Sequence, residues 1–270
     1  MSPATRAQDG YGRRLLTVAA TRQLGAYRLL TVADPAPPPA PGQFAMLAAA
    51  ERWGGGEDER PMLARAFSIA LHEHGEATYL LEDVGPGTKR LCELRPGEEV
   101  WSLGPLGKGF TSPREGRRAL LVGGGVGIAP LAILQRHLDC ETQVLLGFRD
   151  SARARGAELF EGALVVSDDG SVGRQALVTE LLGEELERDA HAVVYSCGPA
   201  GMLEGVRAIC ERDGVPAQLA LEAGMACGFG ACYGCVVPKR GGGYLRVCVD
   251  GPVIDIADLE HVDHHAGAPQ

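Results

Sequence analysis

Ala119-Leu-Leu-Val-Gly-Gly-Gly-Val-Gly-Ile-Ala-Pro130 is the stretch on which the fold turns. Ala119 to Val122 form an apolar run with no polar face, which suits a strand in a sheet covered on both sides. Gly123, Gly124, Gly125 and Gly127 follow, and Pro130 stands near the first turn of a helix-compatible run that extends to His137. Strand, glycine turn and helix in this order are the context of a dinucleotide phosphate loop. Its glycines let the backbone approach a pyrophosphate at a helix start. The spelling departs from G-x-G-x-x-G, because Ile128 stands where the third glycine belongs.

Downstream, Gln143 to Phe148, Ala163 to Ser167 and Ala192 to Cys197 alternate with helical segments over 175–186 and 200–212. That alternation predicts a parallel sheet, and residues 116–218 read as a nucleotide-binding α/β domain. Ligands of such sheets lie beyond the carboxyl ends of the strands. Cys197, Gly198 and Pro199 end one strand there, and Cys197 is either a thiol facing a nicotinamide or a buried apolar group. Asp168 and Asp169 end another strand at the same edge. Carboxylates in that position accept hydrogen bonds from a ribose diol and repel a 2′-phosphate, which favours NAD over NADP. Arg149, Arg153 and Arg155 lie close in sequence and pull the other way.

Upstream the texture differs. Leu15 to Val18 and Ala26 to Val32 are β-rich runs with Gly25 between them, a hairpin pattern. A proline-rich connector over 36–42 and an exposed loop over 51–60 separate further short strands up to about residue 112, which predicts a small antiparallel barrel. On one of these strands, Arg65-Ala-Phe-Ser sets Arg65 and Phe67 on one face and Ala66 and Ser68 on the other. An arginine fork suits a pyrophosphate, and a serine hydroxyl fits a flavin edge; a solvated arginine beside a core phenylalanine is the plain alternative. Gly85 and Gly87 feed a helix start placed at Thr88, whose amides either meet a phosphate or simply cap a turn.

The third constellation is cysteine. Cys227, Cys232 and Cys235 are spaced C-x4-C-x2-C, and Cys248 follows after twelve residues. This is the opening of a plant-type [2Fe-2S] site; zinc is the competing reading, although zinc ribbons usually supply two C-x2-C pairs. Met225 and Phe229 read as apolar groups that shield the site or face a partner. Cys92, Cys140, Cys197 and Cys210 are scattered and read as small buried residues. His72, His74, His261, His264 and His265 have no metal spacing with the cysteines and read as surface residues.

The 270 residues carry 26 basic and 35 acidic side chains, a formal charge of −9 with no basic block, which argues against nucleic acid and anionic membranes as partners. No long apolar run or export signal is visible, so a cytoplasmic protein is expected. The first ten residues are polar and are expected to fray.

In this order the parts resemble the ferredoxin–NADP reductase superfamily. The cysteine set, with Pro105-Leu-Gly-Lys-Gly-Phe and Asp168-Asp-Gly-Ser-Val-Gly, looks like its iron–sulfur subgroup, the electron-transfer subunits of two-subunit NAD-dependent dihydroorotate dehydrogenases. Ala66 stands where that group commonly has proline. The resemblance implies an FAD-binding barrel over 1–115, with FAD on Arg65, Phe67, Ser68, Gly85, Gly87 and Thr88. It implies an NAD-binding parallel-sheet domain over 116–218, with NAD on Gly123, Gly124, Gly125, Gly127, Asp168, Cys197, Gly198 and Pro199. A compact tail over 219–270 would hold the [2Fe-2S] cluster on the four cysteines. The implied partner is an FMN-containing catalytic subunit of dihydroorotate dehydrogenase, in a heterotetramer of two of each, serving pyrimidine biosynthesis. No acid–base catalyst for the substrate is identifiable, as expected if that step belongs to the partner. A flavoprotein subunit of a ferredoxin- or hydrogenase-linked NAD(P) oxidoreductase shares every motif and is the alternative. A zinc-stabilised nucleotide-binding protein without redox activity is the third reading.

Overall fold

The computed structural model describes residues 12–54, 60–113 and 116–262. The fraying expected of residues 1–10, the centre of the 51–60 loop, and His264 and His265 fall outside them. Six strands, β1 (Arg13–Leu24), β2 (Tyr27–Ala33), β3 (Phe44–Ala49), β4 (Arg65–Glu73), β5 (Glu76–Glu82) and β6 (Glu99–Leu106), close into an antiparallel barrel in the order β1-β2-β5-β4-β3-β6. β1 is long enough to serve two neighbours: its first half pairs with β6, its second with β2, and a register shift between Val18 and Ala20 marks the bend. Closure leaves no free edge and gathers Leu30, Val32, Leu47, Ile69, Tyr79 and Leu81 into one core. Helix α1 (Pro86–Cys92) follows β5.

The second sheet contains β7 (Arg118–Gly124), β8 (Thr142–Phe148), β9 (Ala163–Ser167), β10 (Arg174–Gln175), β11 (Ala192–Cys197) and β12 (Ala217–Ala220), all parallel. Helices α2 (Ala129–His137), α3 (Ser151–Ala154), α4 (Val178–Arg188) and α5 (Ala200–Asp213) lie between them. The glycine loop makes one 3-10 turn over Gly125–Ile128 before α2 begins. Two buried clusters flank the sheet, one including Leu120, Val122, Leu145 and Val194, the other Leu121, Val144, Leu146 and Tyr195. That two-sided burial is why these strands read as unbroken apolar runs.

After β12 the chain leaves the sheet, forms a small hairpin of β13 (Val236–Pro238) and β14 (Tyr244–Arg246), and returns as β15 (Val253–Asp255). β15 pairs antiparallel with β12 and completes the order β10-β9-β8-β7-β11-β12-β15. The excursion is also stitched to the barrel. Lys108 N–H donates to the Gly251 carbonyl at 2.5 Å, and a methyl on Gly107 would meet Pro252 at 2.6 Å. No helix among the described residues is long and apolar enough to cross a membrane.

Candidate functional site: two joined clefts and a cysteine loop

Sequence neighbours β7 and β8 run to one side of the sheet and β11 and β12 to the other, so the chain reverses its order between β7 and β11. Ligands of open α/β sheets bind at that switch point. Here the two loops that meet there approach backbone to backbone. A methyl on Gly127 would lie 2.6 Å from the Gly198 Cα, and one on Gly124 would lie 2.6 Å from the Met202 sulfur. Gly127 is needed for this approach, and the space it leaves is a cleft of about 670 Å³ lined by Gly124, Gly125, Gly127, Arg149, Arg153, Asp168, Pro199 and Met202.

A second cleft, also of about 670 Å³, opens on the barrel side, lined by Arg65, Ala66, Phe67, Ser68, Thr88 and the segment Leu221 to Ala226. α1 starts at Pro86, two residues before the expected position. Thr88 sits inside its first turn, where its hydroxyl accepts from Val84 N–H (2.9 Å) and Gly85 N–H (3.0 Å) and donates to the Gly85 carbonyl (2.9 Å). The Arg65 guanidinium lies over Gly87, so close that a methyl there would come within 2.7 Å of Arg65 Nε. A forked cation across a helix start suits a pyrophosphate.

Glu82, Val84, Val126, Gly127 and Glu222 line both clefts, so the two share a wall. Glu222 is reached by solvent inside the cleft, yet the protein packed around it holds its carboxyl above the usual range. Cys197 lies behind that wall, 3% exposed, in the core with Tyr195 and Ala220. Burial, and then the charge of Glu222, push its thiol well above the ordinary value. Of the two readings of Cys197, the position is that of a packed thiol. Gly123 likewise faces Ile128, Leu146 and Leu131 beneath the loop. Sequence reasoning gave no role to Glu82, Glu222 or Met202. Glu222 stands at the head of the cysteine block, and its one signal was a carboxylate beside apolar strand residues.

The cysteines occupy the excursion after β12. The β13–β14 hairpin sets Cys235 against Cys248: Val247 N–H donates to the Cys235 carbonyl at 2.9 Å, and Cys248 N–H approaches Cys235 Sγ at 3.5 Å. Cys227 and Cys232 form the other pair, joined by a thiol–thiol hydrogen bond, and Gly234 N–H approaches Cys232 Sγ at 3.4 Å. Burial raises the Cys227 thiol, but the N–H groups of Cys232 and Phe229, the Cys232 thiol and Ala231 N–H outweigh it and bring it down to about 6. Burial and the neighbouring Cys235 thiol push Cys248 up to about 12. Two pairs of thiols suit two irons with two protein ligands each. The donor set therefore fits a [2Fe-2S] cluster.

Residues 222–260 match the model of the iron-sulfur cluster binding domain of dihydroorotate dehydrogenase B. A dihydroorotate dehydrogenase B (NAD(+)) electron transfer subunit of Caldanaerobacter subterraneus subsp. tengcongensis is 40% identical over 223 residues, covering 80% of this chain and 85% of the relative. The chain belongs to the family of dihydroorotate dehydrogenase B electron transfer subunits. A probable member from Methanopyrus kandleri is 39% identical over 227 residues, 82% of this chain and 80% of its own. In fold, this member of the family is similar to an NADH-dependent reduced ferredoxin-NADP oxidoreductase studied for electron bifurcation, at a TM-score of 0.78 and 24% identity over 92% of this chain and 90% of the other. The ferredoxin reductase of carbazole 1,9a-dioxygenase gives 0.64 at 22% identity over 75% and 66%. The expected barrel and parallel-sheet fold is the one found. His74 is exposed as expected, whereas His72 is half-buried, with its Nε2 enclosed.

Proposed function

We infer that the chain is an electron-transfer subunit that exchanges electrons between NAD(H) and a dihydroorotate dehydrogenase catalytic subunit through FAD and a [2Fe-2S] cluster. The observation that carries this reading is continuity. The glycine-loop cleft shares a wall with the barrel cleft, and the barrel cleft is lined by Gly224, Met225 and Ala226, the last of which precedes Cys227 in the chain. Nicotinamide carries hydride, a cluster carries single electrons, and a flavin between them converts one into the other.

The protein's own groups divide the work. Arg65, with Gly87 and the start of α1, would hold the flavin pyrophosphate, while Phe67 and Ser68 line the ring side of the same cleft. Gly124, Gly125 and Gly127 would cradle the NAD pyrophosphate, with Gly123 packing beneath them and Gly198 and Pro199 backing the nicotinamide end. Asp168 faces the same cleft and is suited to a ribose diol. Of the arginines that weighed toward NADP, Arg153 pairs with Glu82 and Asp150, and Arg155 with Glu158. That leaves Arg149 and supports NAD.

The division into an FAD barrel (1–115), an NAD domain (116–218) and a cluster tail (219–270) belongs to the same proposal. So does a heterotetramer with an FMN-containing subunit, meeting it at the exposed Cys232 edge, where Phe229 is 59% and Tyr233 62% exposed. Large exposed aromatics are typical interface anchors. A cytoplasmic setting belongs to the same proposal. Anaerobic titration of the cofactor-loaded protein with NADH tests the function. Flavin bleaching and an electron paramagnetic resonance signal from the cluster are expected, followed by reoxidation on adding the partner subunit and orotate. A colourless protein whose only metal is zinc would refute it.

A further inference from the structure

We propose that Arg153 is a positioning residue for hydride exchange, fastening the nucleotide domain to the barrel at the wall the two clefts share. The proposal rests on reading those clefts as nicotinamide and flavin sites. Arg153 belongs to α3, behind the sheet strand β8, whereas Glu82 is the last residue of barrel strand β5. Arg153 Nε and NH2 reach Glu82 Oε1 at 2.9 and 2.8 Å, and NH1 reaches Asp150 Oδ2 at 2.5 Å. Asp150 also caps α3 by accepting the Arg153 N–H at 2.9 Å, so one carboxylate orders both the backbone and the side chain of the arginine. The guanidinium thus reaches the barrel already aimed.

The ion pair is more sheltered than the common surface kind, with Arg153 29% and Glu82 18% exposed. A second tie lies beside it. Ala26 N–H donates to the Ala152 carbonyl at 3.0 Å, and the hairpin turn is so close that a methyl on Gly25 would lie 1.9 Å from that oxygen. Turn and helix are therefore in direct contact, and Arg153 holds them there. Since Glu82 lines both clefts, loosening this contact moves one cleft against the other. A displacement of about 1 Å between reacting groups can cost about a hundredfold in rate.

The test uses the full-length, cofactor-loaded protein and its R153M, R153K and E82Q variants. Stopped-flow reduction of FAD by NADH is read together with amide hydrogen exchange at Ala26 in the same cofactor-loaded protein. R153M is expected to slow reduction at saturating NADH about tenfold or more while FAD content stays unchanged and half-saturation moves less than about threefold. Ala26 should exchange about tenfold faster, as local opening becomes easier. R153K keeps the charge but loses the planar fork, and E82Q keeps the shape but loses the charge. Both should fall between R153M and wild type, and both carry the same readouts if R153M fails to fold. Saturating rates within about twofold of wild type in all three variants, or unchanged exchange at Ala26, would overturn the proposal. A defect confined to half-saturation would make Arg153 a nucleotide ligand and overturn it equally. If wild type is not reduced by NADH, the reading of the clefts fails, and the exchange measurement alone decides whether the latch exists.

Discussion

Two glycine-rich loops leave the same edge of the same sheet, one after β7 and one after β12, and they use glycine for different reasons. In the first, Gly124 and Gly127 have ordinary backbone angles, and Gly127 is required because Gly198 backbone presses on it, while Gly124 faces the more yielding Met202 side chain. In the second, Gly228 (φ 79°) and Gly230 (φ 86°) supply left-handed turns in the segment that carries Cys227 and Cys232. The first loop sets close packing at Gly127 beside one left-handed turn at Gly125 (φ 56°), whereas the second turns left-handed at both Gly228 and Gly230. A nucleotide site thus depends on the neighbouring loop, whereas a cluster site depends on its own chain path and its ligands.

The comparison is broken most severely by removing a ligand. Cys232→Ser should abolish the cluster, read as loss of iron and of its visible absorbance, while FAD stays bound, because Arg65, Gly87 and Thr88 lie outside the loop. Loss of FAD as well would mean that the Gly224 to Ala226 wall of the barrel cleft collapses with the cluster. Gly127→Ala comes next, since its methyl meets backbone that cannot retreat. Thermal or denaturant unfolding should show a loss of about 1–3 kcal/mol, and reduction by NADH should fail with the iron content unchanged.

Gly228→Ala should cost less, about 1–2 kcal/mol. Its methyl would meet the Met46 side chain at 2.5 Å, and an unbranched thioether can move aside. Iron content should be retained, and a loss as large as that of Gly127→Ala would erase the distinction between the loops. The smallest effect is expected from Asp168→Asn. Removing the carboxylate should raise kcat/KM for NADPH relative to NADH by about tenfold, without changing stability or iron content.

Much of this was legible in the chain because the signals are local. The apolar run Ala119–Val122, the glycines after it and the cysteine spacing each state their geometry within a dozen residues. The parallel sheet followed from strands apolar on both faces, and the barrel from short strands and turns. What the sequence withheld was the meeting of distant segments. Glu82, Arg153 and Glu222 lie 71 and 69 residues apart, and no pattern announces that they converge on one wall. The arginine that looked free to bind a phosphate is occupied by carboxylates, one of them on a barrel strand. Cys197 was ambiguous for a similar reason, since only the packed structure distinguishes a thiol that lines a cleft from one that lies behind it. The start of α1 was misplaced because Pro86, a good first residue of a helix, was read as part of the turn.

The return of β15 to the sheet has a consequence for handling the protein. Short as it is, β15 caps the outer hydrogen-bonding row of β12, whose Gln218, Leu219 and Ala220 would otherwise offer unpaired peptide groups to any passing strand. The segment between β12 and β15 is the cysteine loop itself. Oxidative damage to that loop therefore threatens to peel away the guard strand, and the material lost on storage in air should appear first as sticky, self-associating protein rather than as an unfolded monomer.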